Sequence, residues 1–161
     1  MNISIVQASP TDAADILALQ KAAYQSEAML NNDWTIPPLT QTLSEIETEF
    51  ETKAFLKAVS EKRIIGSARA YLDSGTCLIG RLIVHPDYQG QGIGTSLMEK
   101  LETVFSSAER FELFTGTKSI DNIRFYQRLG YHEYREENLS SKVRLVFMEK
   151  HQKGRQSGKG E

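Results

Sequence analysis

Arg81-Leu-Ile-Val-His-Pro-Asp-Tyr-Gln-Gly-Gln-Gly-Ile-Gly-Thr-Ser-Leu97 is the stretch on which the reading of this chain turns. It opens on aliphatic residues that end a strand at Val84, and Pro86 stops that strand. Glycines 90, 92 and 94 then alternate, and an amphipathic helix starts at once. From about Gly92 to Ala108, Ile93, Leu97, Leu101, Val104, Phe105 and Ala108 are spaced for one face. The leading N–H groups of a helix have no intrahelical partner, and the macrodipole adds partial positive charge there. Glycine lets the backbone turn with φ > 0 and approach a ligand closely. Such a loop is an anion site built from main-chain amides, with no lysine required.

Spacing excludes two familiar phosphate motifs. G-x-G-x-x-G fails in both registers, because counting from Gly90 reaches Thr95 and counting from Gly92 reaches Leu97. G-K-[ST] fails because Gly94 is followed by Thr95 and Ser96.

Working outward, three strands precede the loop. Ala54–Ser60 and Arg63–Leu72 are joined by a polar turn at Glu61–Lys62, and Asp73–Ser74–Gly75 turns into Thr76–Val84, an antiparallel meander. Before them, Asn2–Gln7 alternates as a strand, and Pro10–Asp12 starts a helix carrying Ile16, Leu19 and Ala23 on one face. Tyr24–Pro38 is less regular, with a helix break expected at Pro37–Pro38. Thr42 and Glu45 have capping-box spacing ahead of Leu43, Ile46 and Phe50. After the loop come a strand at Phe111–Thr115 and a helix at Ser119–Leu129, with Ser119 as N-cap and Gly130 as stop. Tyr131–Tyr134 and Val143–Met148 form a closing pair of strands about a polar turn at Glu136–Ser141. The expected class is α/β, a mixed sheet with helices on its faces.

Composition narrows the function. The chain has 161 residues, enough for one domain, and a net charge of −2, so no global field attracts nucleic acid or an anionic membrane. No apolar run approaches the roughly 20 residues of a membrane span, and the first residues lack a signal-peptide pattern, so a cytoplasmic location is expected. Cys77 is a lone core cysteine, and His85, His132 and His151 show no ligand spacing, so no metal is expected. His85, directly before Pro86, is read as shaping the turn. From His151 onward no apolar residue occurs, and this basic tail (151–161) is expected to be disordered. Its charge suits a solubilising end or a contact with RNA or acidic lipid, and no nucleic-acid partner is expected.

Gln89-x-x-Gly92-x-Gly94, preceded by Val84-x-Pro86, resembles the pyrophosphate-binding motif of the GCN5-related N-acetyltransferase (GNAT) family. Asn122-Ile-Arg-Phe-Tyr126-Gln-Arg-Leu-Gly130-Tyr131 resembles its second signature, and the element order over residues 2–150 also matches. The resemblance implies a single GNAT-like domain at 1–150, a central mixed sheet flanked by helices. It implies acetyl-CoA as cosubstrate and direct transfer of acetyl to a primary amine of a small molecule or peptide. The backbone of Leu82, Ile83 and Val84 would bond the pantetheine arm. The N–H groups of Gln89, Gly90, Gln91, Gly92, Ile93, Gly94 and Thr95 would hold the pyrophosphate. Tyr126 would protonate the departing thiolate. Many members carry an asparagine seven positions before that tyrosine, where this chain has Ser119. Asn122 lies four before it on the same helical face, so either Ser119 or Asn122 reaches the arm. Dimers are common in the family.

The general base has no obvious seat, because Thr76–Val84 contains no carboxylate and the Arg81 guanidinium stays protonated. Tyr24, Glu27 and Asp33 are the candidates from the segment that borders the acceptor site in this fold, unless water or a neutral amine removes the need. That segment, with Trp34, suits either an acceptor rim or a plain connection around a buried tryptophan. Two functional classes stay open: an enzyme, and a non-catalytic acyl-CoA-binding module on the same fold.

Overall fold

Left-handed backbone at Glu61 and Lys62 (φ 50° and 66°) and at Ser74 and Gly75 (φ 53° and 85°) makes two tight hairpins, the turn geometry that follows strand twist. In the computed structural model, which describes residues 2–152, these join β2 (Ala54–Ser60), β3 (Arg63–Asp73) and β4 (Thr76–Val84) into the expected meander. With β1 (Ser4–Gln7), β5 (Arg110–Gly116), β6 (His132–Asn138) and β7 (Arg144–His151) they form a seven-stranded sheet in the order β1-β2-β3-β4-β5-β7-β6. Every neighbouring pair is antiparallel except β4 and β5. A parallel neighbour needs a crossover, and α5 (Ile93–Val104) supplies it. Its buried stripe, Ile93, Leu97, Met98 and Leu101, packs with Ile65 and Ala68 of β3 and Cys77 of β4. Cys77 is fully buried, and burial, with Glu102 nearby, pushes its thiol up to about 12, so it is packing rather than a nucleophile.

Several boundaries differ from the expectation. The segment Tyr24–Pro38 is irregular only over residues 32–36: α1 (Ala13–Ala23) passes through Tyr24 into α2 (Gln25–Asn31), which stops where Asn32 turns left-handed at φ 50°. Pro37 and Pro38 begin α3 (Pro37–Thr40) instead of breaking a helix, because the first helical positions need no N–H partner. Trp34 is half exposed, which rules out the buried-tryptophan reading. The capping box at Thr42 and Glu45 opens α4 (Leu43–Glu49) as the spacing implies. α5 stops at Val104, which is half exposed and outside the buried stripe. β6 extends to Asn138 through residues expected to turn, because it is an exposed edge strand that needs no apolar alternation. There the Arg135 guanidinium stacks 3.7 Å from the Phe147 ring centre, and Arg144 pairs with Glu136 at 2.6 Å. His151 closes β7, and the Gln152 side chain donates to the carbonyls of Ser106 and Ala108 at 2.7 Å, so the packed chain runs past the expected start of the tail. Residues 153–161 lie outside the described residues.

Beneath α1 and α4 sits a buried charge. Arg69, 3% exposed, pairs with Glu49 at 2.9 Å and donates to Gln20 at 3.1 Å and Gln41 at 2.9 Å. Burial works to raise the Glu49 carboxyl, but the Arg69 charge, helped by Lys53 and Gln41, leaves it below its ordinary 4.5. A carboxylate lowered on folding adds stability above its unfolded value, and that stability drains away as pH falls through the folded value. Glu49→Gln should therefore destabilise the fold by about 3 kcal/mol at pH 7, since it leaves Arg69 uncompensated. It should also flatten the loss of stability below about pH 4.5. Urea unfolding of both proteins at pH 7 and pH 4 checks this, and an equal acid loss in the variant would refute it.

Candidate active site

β4 and β5 pair through only three positions, Thr76 with Arg110, Cys77 with Phe111 and Leu78 with Glu112. Beyond Leu78, β4 stays with β3 as far as Val84, while β5 follows β7 as far as Gly116. The two halves of the sheet part between them. The local cause is Arg81, which takes a left-handed φ of 51° where the β3–β4 register slips between Ser67 and Arg69. An extra residue in one strand bends it and raises its twist. A cleft of about 1100 Å³ fills the gap, walled on one side by Leu82, Ile83 and Val84 and on the other by Leu113, Phe114 and Thr115.

At one end stands the amino terminus of α5. Gly92 is its N-cap residue at φ 81°, Gly90 precedes it at φ 79°, and no side chain caps the helix. Its first amides are therefore left for a ligand. A Cβ on Gly90 or Gly92 would meet nothing within 4 Å, so both serve the left-handed turn rather than a crowded contact. Gly94 differs: a Cβ there would lie 3.3 Å from the Phe125 ring, which lets α5 press against α6 (Ile120–Arg128). Gln89, Gly90, Gly92, Ile93, Gly94 and Thr95 line the cleft, while the side of Gln91 does not. The turn itself is held by His85, whose Nδ1 accepts from the Asp87 amide at 3.0 Å, as expected for a shaping role.

Tyr126 lies midway, 8% exposed, and edge-on to Phe125 with ring centres 5.2 Å apart. Burial, reinforced by Tyr24 and Glu27, pushes its phenol above the ordinary 10.0, so it carries its proton at neutral pH. Ser119 stands at the head of α6 as expected, but its hydroxyl does not cap the helix; it donates to the Glu27 carboxylate. The Asn122 amide donates to the Thr115 hydroxyl at 3.3 Å, and both Ser119 and Asn122 line the cleft.

The other end is built by α2, α3 and the β6–β7 turn. Tyr24 and Glu27 line it, together with Ile36, Pro38 and Val143. Burial raises the Tyr24 phenol, against the pull of the Arg81 and Arg69 charges. Asp33 and Trp34 are outside the cleft lining, contrary to the expectation. The Asp33 carboxylate instead accepts from the Thr35 hydroxyl at 2.6 Å and its amide at 2.9 Å, which holds it below its ordinary value. Asn31, which belongs to the segment read as an acceptor rim, lines the cleft, and its side chain closes onto the Glu27 carbonyl at 2.9 Å. Sequence reasoning overlooked Gly116, where a Cβ would lie 3.3 Å from a Glu27 carboxylate oxygen. Nothing in the local sequence marked Gly116. Among the described residues, no group of three His, Cys, Asp or Glu side chains could hold a metal ion, and no helix is long and apolar enough to cross a membrane.

The profile of the acetyltransferase (GNAT) family matches residues 14–131. The GCN5-related N-acetyltransferase 2, chloroplastic, of Arabidopsis thaliana is 39% identical over 74 residues, covering 44% of this chain and 28% of that protein. The uncharacterized N-acetyltransferase ycf52 of Gracilaria tenuistipitata var. liui is 30% identical over 102 residues, covering 61% of this chain and 54% of that protein. The chain thus matches from 28% to 54% of the length of these curated relatives. Among solved structures, the PaiA N-acetyltransferase of Thermoplasma acidophilum in complex with coenzyme A superposes with a TM-score of 0.77 at 17% identity, covering 94% of this chain and all of that one. The ribosomal-protein-S18-alanine N-acetyltransferase of Escherichia coli does so with a TM-score of 0.78 at 15% identity, over 93% of this chain and 94% of that one. At such identities the likeness establishes the fold. On the family match, with that fold beneath it, this chain belongs to the acetyltransferase (GNAT) family.

Proposed function

We propose that the protein moves an acetyl group from acetyl-CoA directly to a primary amine of a small molecule or peptide, with both substrates bound at once. The observation that carries this is the single cleft joining an uncapped glycine-rich helix start to an unpaired strand edge and a buried, protonated tyrosine. The amides of Gln89 to Thr95 hold the pyrophosphate, and the free edge of Leu82–Val84 pairs with the pantetheine arm as an added strand would. Asn122 reaches that arm, since the Ser119 hydroxyl is committed to Glu27.

Chemistry follows from what the cleft offers. An alkylammonium, with a pKa of about 10, must lose a proton before its nitrogen can attack. Glu27, on the acceptor side, takes that proton directly or through one water. The nitrogen lone pair forms the new N–C bond, and a backbone amide near Val84 donates to the developing oxyanion. When the C–S bond breaks, Tyr126 gives its proton to the thiolate, whose own pKa is about 8.5. The second proton shed by the nitrogen as the amide forms restores the phenol, while Glu27 releases the first to water.

Tyr126→Phe should lower kcat about 100-fold and leave acetyl-CoA affinity unchanged. A CoA-release assay beside calorimetry reads both, and an undiminished rate removes Tyr126 from the acid role. Gly92→Val should abolish acetyl-CoA binding while the circular dichroism spectrum stays native, because a branched residue resists φ > 0 and intrudes on the anion site. Retained affinity would place the pyrophosphate elsewhere. A folded protein that binds acetyl-CoA yet releases no CoA with any amine would be a binding module, not an enzyme.

A further inference from the structure

Among the described residues, Arg81 alone combines a left-handed backbone within a strand with a buried side-chain donor that lacks a partner, and its guanidinium lies beside the Tyr24 hydroxyl. An arginine in a left-handed conformation within a strand is strained, and such strain collects where a side chain must be aimed. Its Nε is buried and has no hydrogen-bond partner in the described residues. A buried donor left unpaired is costly and calls for an explanation. The residue lines both the acceptor end of the main cleft and a shallower recess of about 500 Å³ against α3 and α4.

The carboxylates nearby are already engaged. Glu49 is taken by Arg69 at 2.9 Å and Lys53 at 3.1 Å. Glu45 accepts from the Thr42 amide at 2.8 Å as the cap of α4, and Glu27 accepts from Ser119. The Arg69 and Arg81 guanidiniums lie near enough to repel each other. Apolar side chains, Ile36, Pro38 and Val143, line the acceptor end beside these polar groups.

We infer that Arg81 binds a carboxylate of the acceptor, so that the amine acetylated here belongs to a small amino acid-like molecule. A guanidinium offers parallel donors that fit a carboxylate with two bonds at once, which a neutral amine or a polyamine cannot use. The acceptor then lies with its acid at Arg81, its apolar part along Ile36 and Val143, and its amine toward Glu27. This rests on the transferase reading above and adds the substrate class to it.

The test compares each common amino acid with its carboxamide, and O-phosphoethanolamine with ethanolamine, as acceptors in the CoA-release assay. Acetyl-CoA affinity is measured in parallel by calorimetry. At least one acid should exceed its carboxamide by about 100-fold in kcat/KM, because the carboxamide leaves the guanidinium unpaired. Arg81→Gln should collapse that ratio toward one, and Arg81→Lys, which keeps the charge and loses the fork, should retain only part of it. Should Arg81→Gln fail to fold, the native ratio and the Arg81→Lys ratio still decide. Equal turnover of acids and carboxamides, or a preference that survives Arg81→Gln, overturns the inference. So does a preference confined to the phosphate pair, which assigns Arg81 to a different anion. Acetyl-CoA binding with no turnover in either set overturns it while leaving the cofactor site standing, and absence of acetyl-CoA binding overturns both.

Discussion

β4 and β5 touch as parallel neighbours through three residue pairs and then separate, and the rest of the molecule is arranged around that separation. A sheet normally satisfies both edges of every inner strand, so an inner strand with a free edge must have its loss made good by something else. Here β3 and β7 hold the two strands from their outer sides, which fixes the width of the gap without filling it. α5 crosses from one half of the sheet to the other and brings its amino terminus to the place where β4 ends. The position of the anion site is therefore a consequence of the crossover.

Polarity is distributed unevenly along the cleft. At the α5 end the attraction for anions comes from backbone amides, which carry no net charge and need no counter-ion. At the α2 end the polarity comes from ionisable side chains instead: Glu27 fastened by Ser119, Tyr24 near the Arg81 and Arg69 charges, and Arg81 itself. The first arrangement suits a ligand that is the same in every turnover. The second can be altered one side chain at a time, which is how one scaffold serves different acceptors.

Legibility in the sequence followed the range of the forces involved. The glycine turn into α5 could be read because its determinants, three glycines and a helix stripe, lie within a few residues of one another. The meander was legible for the same reason, through its two short turns. The region Tyr24–Pro38 was not, because its helices are set by what they cover: Ala28 is fully buried with Ile36 and Val143, the last of these contributed by a distant part of the chain. β6 was under-read since an edge strand carries charges that resemble a turn. Ser119 was placed correctly at the head of α6, yet its hydroxyl bonds a residue from α2 in place of capping the helix, a contact no local pattern encodes. The left-handed Arg81 had no signal of its own, because the only glycine beside it, Gly80, occupies the preceding position.

The Phe125 ring lies where a side chain on Gly94 would be, and Phe125 is bonded in the chain to Tyr126. The helix start that would meet a diphosphate and the phenol that would meet a sulfur are thus butted together through one aromatic plate, with no loop between them. On the proposed function, such a joint would work as a length gauge. A thiol carrier would be accepted when the span from its charged head to its sulfur equals the span between these two fixed points. One with a shorter or longer arm would miss the phenol, whatever its acyl cargo.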